Sequence, residues 1–168
     1  LPGVPDYWRS RLPALMDKQK YSVKLDDQVV FAGRYSLQIN YNTDSLPREA
    51  WEPLQSFEVR PERGKKYTLS AWLKTDSPDL EYYLWLNWGN RQTVKLTTEW
   101  QRYVFSAVWL KPEFKHSLGF IVLTPTHKCI GQPLHARIWL DNVQVEEGES
   151  ASEYTPAFED RDFSASKS

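Results

Sequence analysis

The sequence carries a single cysteine, Cys129, in 168 residues. That excludes an internal disulfide framework and any multi-cysteine metal cluster. A surplus charge of one sign is also missing: Lys+Arg 21 against Asp+Glu 22 leaves a formal net charge of −1. Nothing in that balance draws the chain to nucleic acid or inserts it into an anionic membrane. No run approaches the roughly 20 apolar residues that a membrane-spanning helix needs. Histidine is scarce, and His116, His127 and His135 stand at no H-x-x-x-H spacing. A G-x-S-x-G elbow is absent too. Cys129 has no partner signal for a Cys–His nucleophile pair and reads as a small buried or loop thiol. Glu146, Glu147 and Glu149 close the last strand pattern, where a solvated edge is the ordinary reading. An all-β glycosidase needs two carboxylates correctly separated in space, which spacing across strands does not reveal. No catalytic constellation stands out, and we expect no enzyme activity in this chain.

A secretory leader is not visible: the sequence opens at Leu1, without a basic segment and apolar run ahead of it. We expect a fragment of a longer precursor or multidomain protein. From Gly148, GESASEYTPAFEDRDFSASKS turns to Ser, Ala, Glu and Asp. The reading is one domain over 1–148 and a linker or tail over 149–168. No internal repeat recurs at a fixed period.

What is abundant is aromatic: Trp 8, Tyr 9 and Phe 7 make up 14% of a chain of mean hydropathy −0.62. The pattern carrying these rings has period two. YSLQINYN (35–42) separates Leu37, Ile39 and Tyr41 from Ser36, Gln38 and Asn40. KYTLSAWLKTD (66–76) separates Tyr67, Leu69, Ala71 and Leu73 from Thr68, Ser70, Trp72 and Lys74. EYYLWLNWG (81–89) sets Tyr82, Leu84, Leu86 and Trp88 against Tyr83, Trp85 and Asn87. Further strands read at Thr93–Leu96, Gln101–Leu110, Ser117–Leu123 and Ala136–Glu146, with PERGKK and TDSPDLE as turns. Only the stretch Arg9–Lys18 has room for a short helix, and Pro13 weakens it. The expected fold is all-β: a two-sheet antiparallel β-sandwich, or jelly roll.

Strand parity sorts most rings into the core and leaves a remainder. If Leu84 and Leu86 face inward, Tyr83, Trp85 and Asn87 face the other side, and a neighbouring strand would add Trp72 among Ser70 and Lys74. Flat rings beside amides and cations suit a sugar, whose C–H faces stack on rings while its hydroxyls take directional hydrogen bonds. Rigid rings also lose little entropy on binding. Base stacking would use the same rings, but phosphate binding leans on positive charge that this chain lacks. The bland alternative is a second core layer, or rings covered by loops. Trp51 stands apart in PREAWEP (47–53), a polar Pro-bounded loop, with Arg48 three residues upstream. It reads either as a lid on the core edge or as a ligand wall. Trp8, Trp88, Trp100, Trp109 and Trp139 read as structural.

The order of segments resembles a known family. Gly33–Leu37 (G-x-Y-S-L), Tyr67–Lys74 (Y-T-L-S-A-W-L-K) and Trp139–Gln144 (W-L-D-N-V-Q), with LTTEWQRYVFS between them, resemble the family 4/9 type of carbohydrate-binding module. The similarity runs from about Tyr21 to Gly148. LPGVPDYW is similar to the stretch after that family's first strand, which would then lie upstream of Leu1. The resemblance implies a jelly roll that binds glycans without cleaving them, usually appended to an enzyme or surface protein. It implies a polysaccharide or oligosaccharide ligand in a cleft walled by Trp51 and by Trp85 or Tyr83, with Arg48, Asn87 and Arg91 as polar partners. SLGFIVLT departs from relatives that place polar cleft residues there, being apolar at Gly119, Ile121 and Leu123. Many relatives also hold a structural calcium ion, for which Asp141 is the matching residue, with carbonyls near Gly33. Calcium wants six to eight oxygens. The expected setting is extracellular or at the cell surface, as a monomer that binds no nucleic acid. The alternatives are a structural or protein-interaction sandwich and a small all-β glycosidase or lyase. Arg48, Lys74, Arg91 and Lys95 hint at an acidic polysaccharide.

Overall fold

A computed structural model describes residues 8–10, 17–51, 54–56, 62–86, 90–110 and 121–153. Among these residues, ten strands form two five-stranded antiparallel sheets. One sheet orders β1 (Trp8–Ser10), β4 (Leu54–Ser56), β9 (Ile121–Pro125), β6 (Glu81–Leu86) and β7 (Arg91–Lys95). The other orders β2 (Tyr21–Asp26), β3 (Ser36–Thr43), β10 (Leu134–Glu147), β5 (Lys66–Thr75) and β8 (Gln101–Val108). Two short 3-10 turns, Arg48–Ala50 and His127–Cys129, sit at the rim and are joined nearby by a parallel bridge between Leu46 and Ile130.

The expected β-sandwich is therefore what the chain forms. Between the sheets lie Leu37, Ile39 and Tyr41 of β3, Leu69, Ala71 and Leu73 of β5, Tyr82, Leu84 and Leu86 of β6, and Ile138 and Leu140 of β10, all buried. Alternation puts every second residue on the inner face, and each buried aliphatic side chain contributes about 1.5–3 kcal/mol. The sequence reading omitted β2, and its strand at 117–123 lies partly outside the described residues. The short helix considered over Arg9–Lys18 also lies mainly outside them; Arg9 and Ser10, at its start, are in β1. Trp88 lies outside the described residues as well.

The outer face of the second sheet is covered as well, so Gln38, Ser70, Trp139 and Asp141 are buried although their parity points away from the core. The 27–35 loop folds over one part of it. Over another part, residues 148–153 run back along β5 and β8. Thr68 donates to the Gly148 carbonyl at 2.7 Å, Lys66 pairs with Glu149 at 3.2 Å, and Arg102 donates to the Ser152 carbonyl.

Candidate functional site: an aromatic cluster on the first sheet

β6 lies between β7 and β9, so one of its faces looks into the core and the other away from it. Tyr82, Leu84 and Leu86 take the core face. Tyr83 and Trp85 take the other, beside Thr93 and Arg91 of β7 and Thr124 of β9, with which they pair in register. Trp51 follows the first 3-10 turn and folds onto this same face. Its ring meets Trp85 edge-on, centroids 6.3 Å apart at 87°, and Trp85 meets Tyr83 at 5.7 Å and 81°. Edge-to-face packing of this kind suits the ring quadrupoles. A loop residue and two strand residues expected to share a site do come together.

They are less bare than expected. Trp51 and Trp85 are only 9% and 7% exposed, so the surface-ring expectation is corrected for both. Trp51 donates its indole N–H to the Pro125 carbonyl at 2.8 Å, and Trp85 donates its own to Thr124 Oγ1 at 3.0 Å. Satisfied indole donors are what burial of tryptophan requires. Two further residues cover the rings. His127, exposed at the start of the second 3-10 turn, stacks on Trp51 at 4.6 Å and 21° and lies 5.3 Å from Tyr83. The Arg91 guanidinium carbon sits 3.9 Å from the centre of the Tyr83 ring and 5.1 Å from that of Trp85. Arg48 is exposed one turn before Trp51. Asn87 lies outside the described residues.

Sequence reasoning missed His127 and assigned it no role. No periodicity places it, because it reaches the cluster through the turn that follows β9, and β9 is the strand paired with β6. Of the apolar positions read in SLGFIVLT, Gly119 lies outside the described residues. Leu123 is buried in the core, and Thr124 supplies the polar atom on the site face.

Trp72 does not belong to this cluster. β5 and β6 are consecutive in the chain, but the 76–80 segment, with Asp79 at φ 77, carries the chain from one sheet to the other. Trp72 faces outward from the second sheet, where Phe31 stacks on it at 3.9 Å and 15°. The single sheet face shared by Trp72, Tyr83 and Trp85 is thus overturned by topology.

Asp141 closes the same outer face. A register shift in β10 between Asp141 and Gln144 puts Asn142 at φ 46, a conformation that asparagine tolerates, and re-aims the carboxylate. Asp141 Oδ2 accepts the backbone N–H of Phe31 at 2.9 Å and of Ala32 at 3.1 Å, and Oδ1 accepts that of Asn142 at 2.8 Å. A calcium ion wants oxygen lone pairs turned toward it. The loop near Gly33 instead turns amide hydrogens toward Asp141, and the described residues hold no group of three His, Cys, Asp or Glu suited to a metal. Both carboxylate oxygens of Asp141 thus accept backbone amides. Asp26 repeats the arrangement nearby, accepting Trp139 Nε1 and Gln38 Nε2 on Oδ2 and the Gln28 and Val29 amides on Oδ1. Burial pushes its carboxyl up, but the Trp139, Gln28, Val29 and Gln38 donors outweigh that and hold it below the ordinary aspartate value.

No family model matches the sequence, and no curated protein matches it. Solved structures do match its shape. BiXyn10A CBM1, in its apo form, superposes with a TM-score of 0.60 at 15% identity, over 87% of this chain and 92% of that one. The CBM22-1 xylan-binding domain of Paenibacillus barcinonensis Xyn10C gives 0.56 at 16% identity, over 89% and 90%. The enzymatically active domain of bacteriophage CBA120 tailspike protein 4 gives 0.53 at 13% identity, over 85% of this chain and 20% of that one. At such identities the likeness concerns the fold alone, a β-sandwich.

Proposed function

We propose that this chain is a non-catalytic carbohydrate-binding module that holds a polysaccharide or oligosaccharide on the Trp51–Tyr83–Trp85 cluster. One observation carries the reading: three rings from two segments, the turn ending at Trp51 and strand β6, converge on one outer sheet face, edged by Arg91, Thr93 and His127. The fold shared with carbohydrate-binding modules supports it. Tyr83 is the part-exposed ring on which a sugar stacks, with Trp51 and Trp85 backing it and Arg48 and Arg91 orienting hydroxyls. Trp72, on the opposite sheet, has no part in this site. On this reading the protein works outside the cell or at its surface, as a monomer that targets an appended enzyme or surface domain. Affinity is on the order of micromolar to millimolar, since a small exposed ligand desolvates few groups. Affinity electrophoresis through gels holding soluble polysaccharides tests this. The wild type is retarded by at least one polymer and Tyr83→Ala, melting like the wild type, migrates freely; a wild type retarded by none ends the proposal.

A second reading is a structural or protein-interaction sandwich. The covering of Trp51 by His127 and of Tyr83 by Arg91 favours it, because the module then fills its own cleft. Its signature is tryptophan emission that responds to no glycan.

A further inference from the structure

We infer that the ligand is an acidic glycan, bound through a uronate carboxylate by Arg91, an inference that rests on the carbohydrate-binding reading above. The two indoles are nearly closed off and their N–H groups are used inside the protein. What the cluster shows to solvent is the Arg91 guanidinium, the His127 imidazole and part of Tyr83. Arg91 is held by ring faces, 3.9 Å from Tyr83 and 5.1 Å from Trp85. Among the described residues no hydrogen bond or ion pair engages this exposed guanidinium, whose in-plane N–H donors suit a bidentate acceptor.

Among the described residues no carboxylate pairs with Arg91, Arg48 or His127. Lys65, Lys66, Lys95 and Arg137 all have acidic partners, at 3.0, 3.2, 3.1 and 2.7 Å. Among the described residues, Glu49 lies next to Arg48, and Glu81 pairs in register with Lys95 at the far end of β6; Glu52, beside Trp51, lies outside them. At the other end, Arg91 stands opposite Trp85 in register, with no ion-pair partner among the described residues.

Arg91 and His127 leave Tyr83 only part-exposed, so ring stacking alone offers a neutral pyranose little hold and a charged anchor adds the rest. A uronate carries its carboxylate on C5, at the ring edge, where a preoriented guanidinium fork grips it bidentately while the sugar body lies on Tyr83 and His127. A general attraction to polyanions is a different matter and would need net positive charge, which this chain lacks.

The test is affinity electrophoresis and calorimetry with glucuronoxylan and polygalacturonate, each against the same polymer with its carboxyls reduced to primary alcohols, with dextran sulfate as a third arm. We expect at least one uronate polymer to bind about ten-fold or more tightly than its reduced form. Arg91→Gln, melting as the wild type does, brings that ratio toward one. Equal binding of a polymer and its reduced form overturns the inference and leaves the carbohydrate-binding reading standing. Dextran sulfate bound as tightly as the uronates also overturns it, since charge alone then suffices. A protein that binds no polymer at all overturns both.

Discussion

Trp51 and His127 stack face to face, ring centroids 4.6 Å apart at 21°. The histidine is exposed and the tryptophan is not. The loop indole is thereby turned from a free ligand wall into the inner layer of a two-layer surface.

Removing the cover should show. His127→Ala bares one face of the indole, so its emission shifts to longer wavelength and acrylamide quenches it more strongly than in the wild type. The lost ring pair costs about 0.5–1.5 kcal/mol, which lowers Tm by a few degrees in a chain of this size. Quenching identical in the two proteins would mean that the stack does not persist in solution.

The Asp141 geometry predicts a module indifferent to calcium. Millimolar calcium and an excess of EDTA should leave Tm within a degree of each other. Asp141→Ala strands the Phe31, Ala32 and Asn142 amides and should cost about 2–4 kcal/mol, given that hydrogen bonds to a charged acceptor are each worth about 1.5–3 kcal/mol. A calcium-dependent rise of several degrees contradicts the donor argument.

Acid stability turns on Asp26. Its carboxyl is held below the ordinary value in the fold, so the unfolded chain binds the proton more readily. The stabilisation is therefore complete above the unfolded pKa of about 3.9 and is lost as pH falls through the lower folded value. Asp26→Asn should lower stability at neutral pH and flatten its dependence on pH below about 4. Parallel curves for the two proteins in that acid range would remove Asp26 from the acid response.

Among the described residues, two core hydroxyls find no hydrogen-bond partner, those of Tyr41 and Tyr82. Burial drives both phenols upward, Tyr41 well above its ordinary value, so neither ionises in the working range. Deleting an unpartnered buried hydroxyl removes a desolvation cost and leaves the ring in place. Tyr41→Phe and Tyr82→Phe should match the wild type in stability or exceed it by about 1 kcal/mol. A loss of 2 kcal/mol or more would show a partner bound to the hydroxyl in solution.

Period-two alternation made the sandwich legible, because inner and outer faces of a strand are set residue by residue. It placed Leu37, Leu69 and Leu84 correctly, and it put Tyr83 and Trp85 on one face of one strand. It could not say which strands share a sheet. Neighbours in sequence are usually neighbours in space, yet the chain changes sheets between Thr75 and Glu81, and so Trp72 was grouped with the wrong rings. Nor does alternation register the covers. Gln38 reads as an outward polar position, yet it is buried beside Trp139 and Asp141 because the loop after Asp26 folds over this face. His127 was illegible for the same reason: its role comes from a turn delivered by β9, and no local pattern encodes that contact.

The central claim is that a glycan rests on Tyr83 against the Trp51–Trp85 pair. Titrating soluble polysaccharides into wild type and Tyr83→Ala by calorimetry tests it most directly. The account predicts saturable heat with at least one polymer for the wild type and a loss of about ten-fold or more in affinity for a variant that melts normally. Affinity undiminished in Tyr83→Ala would contradict it.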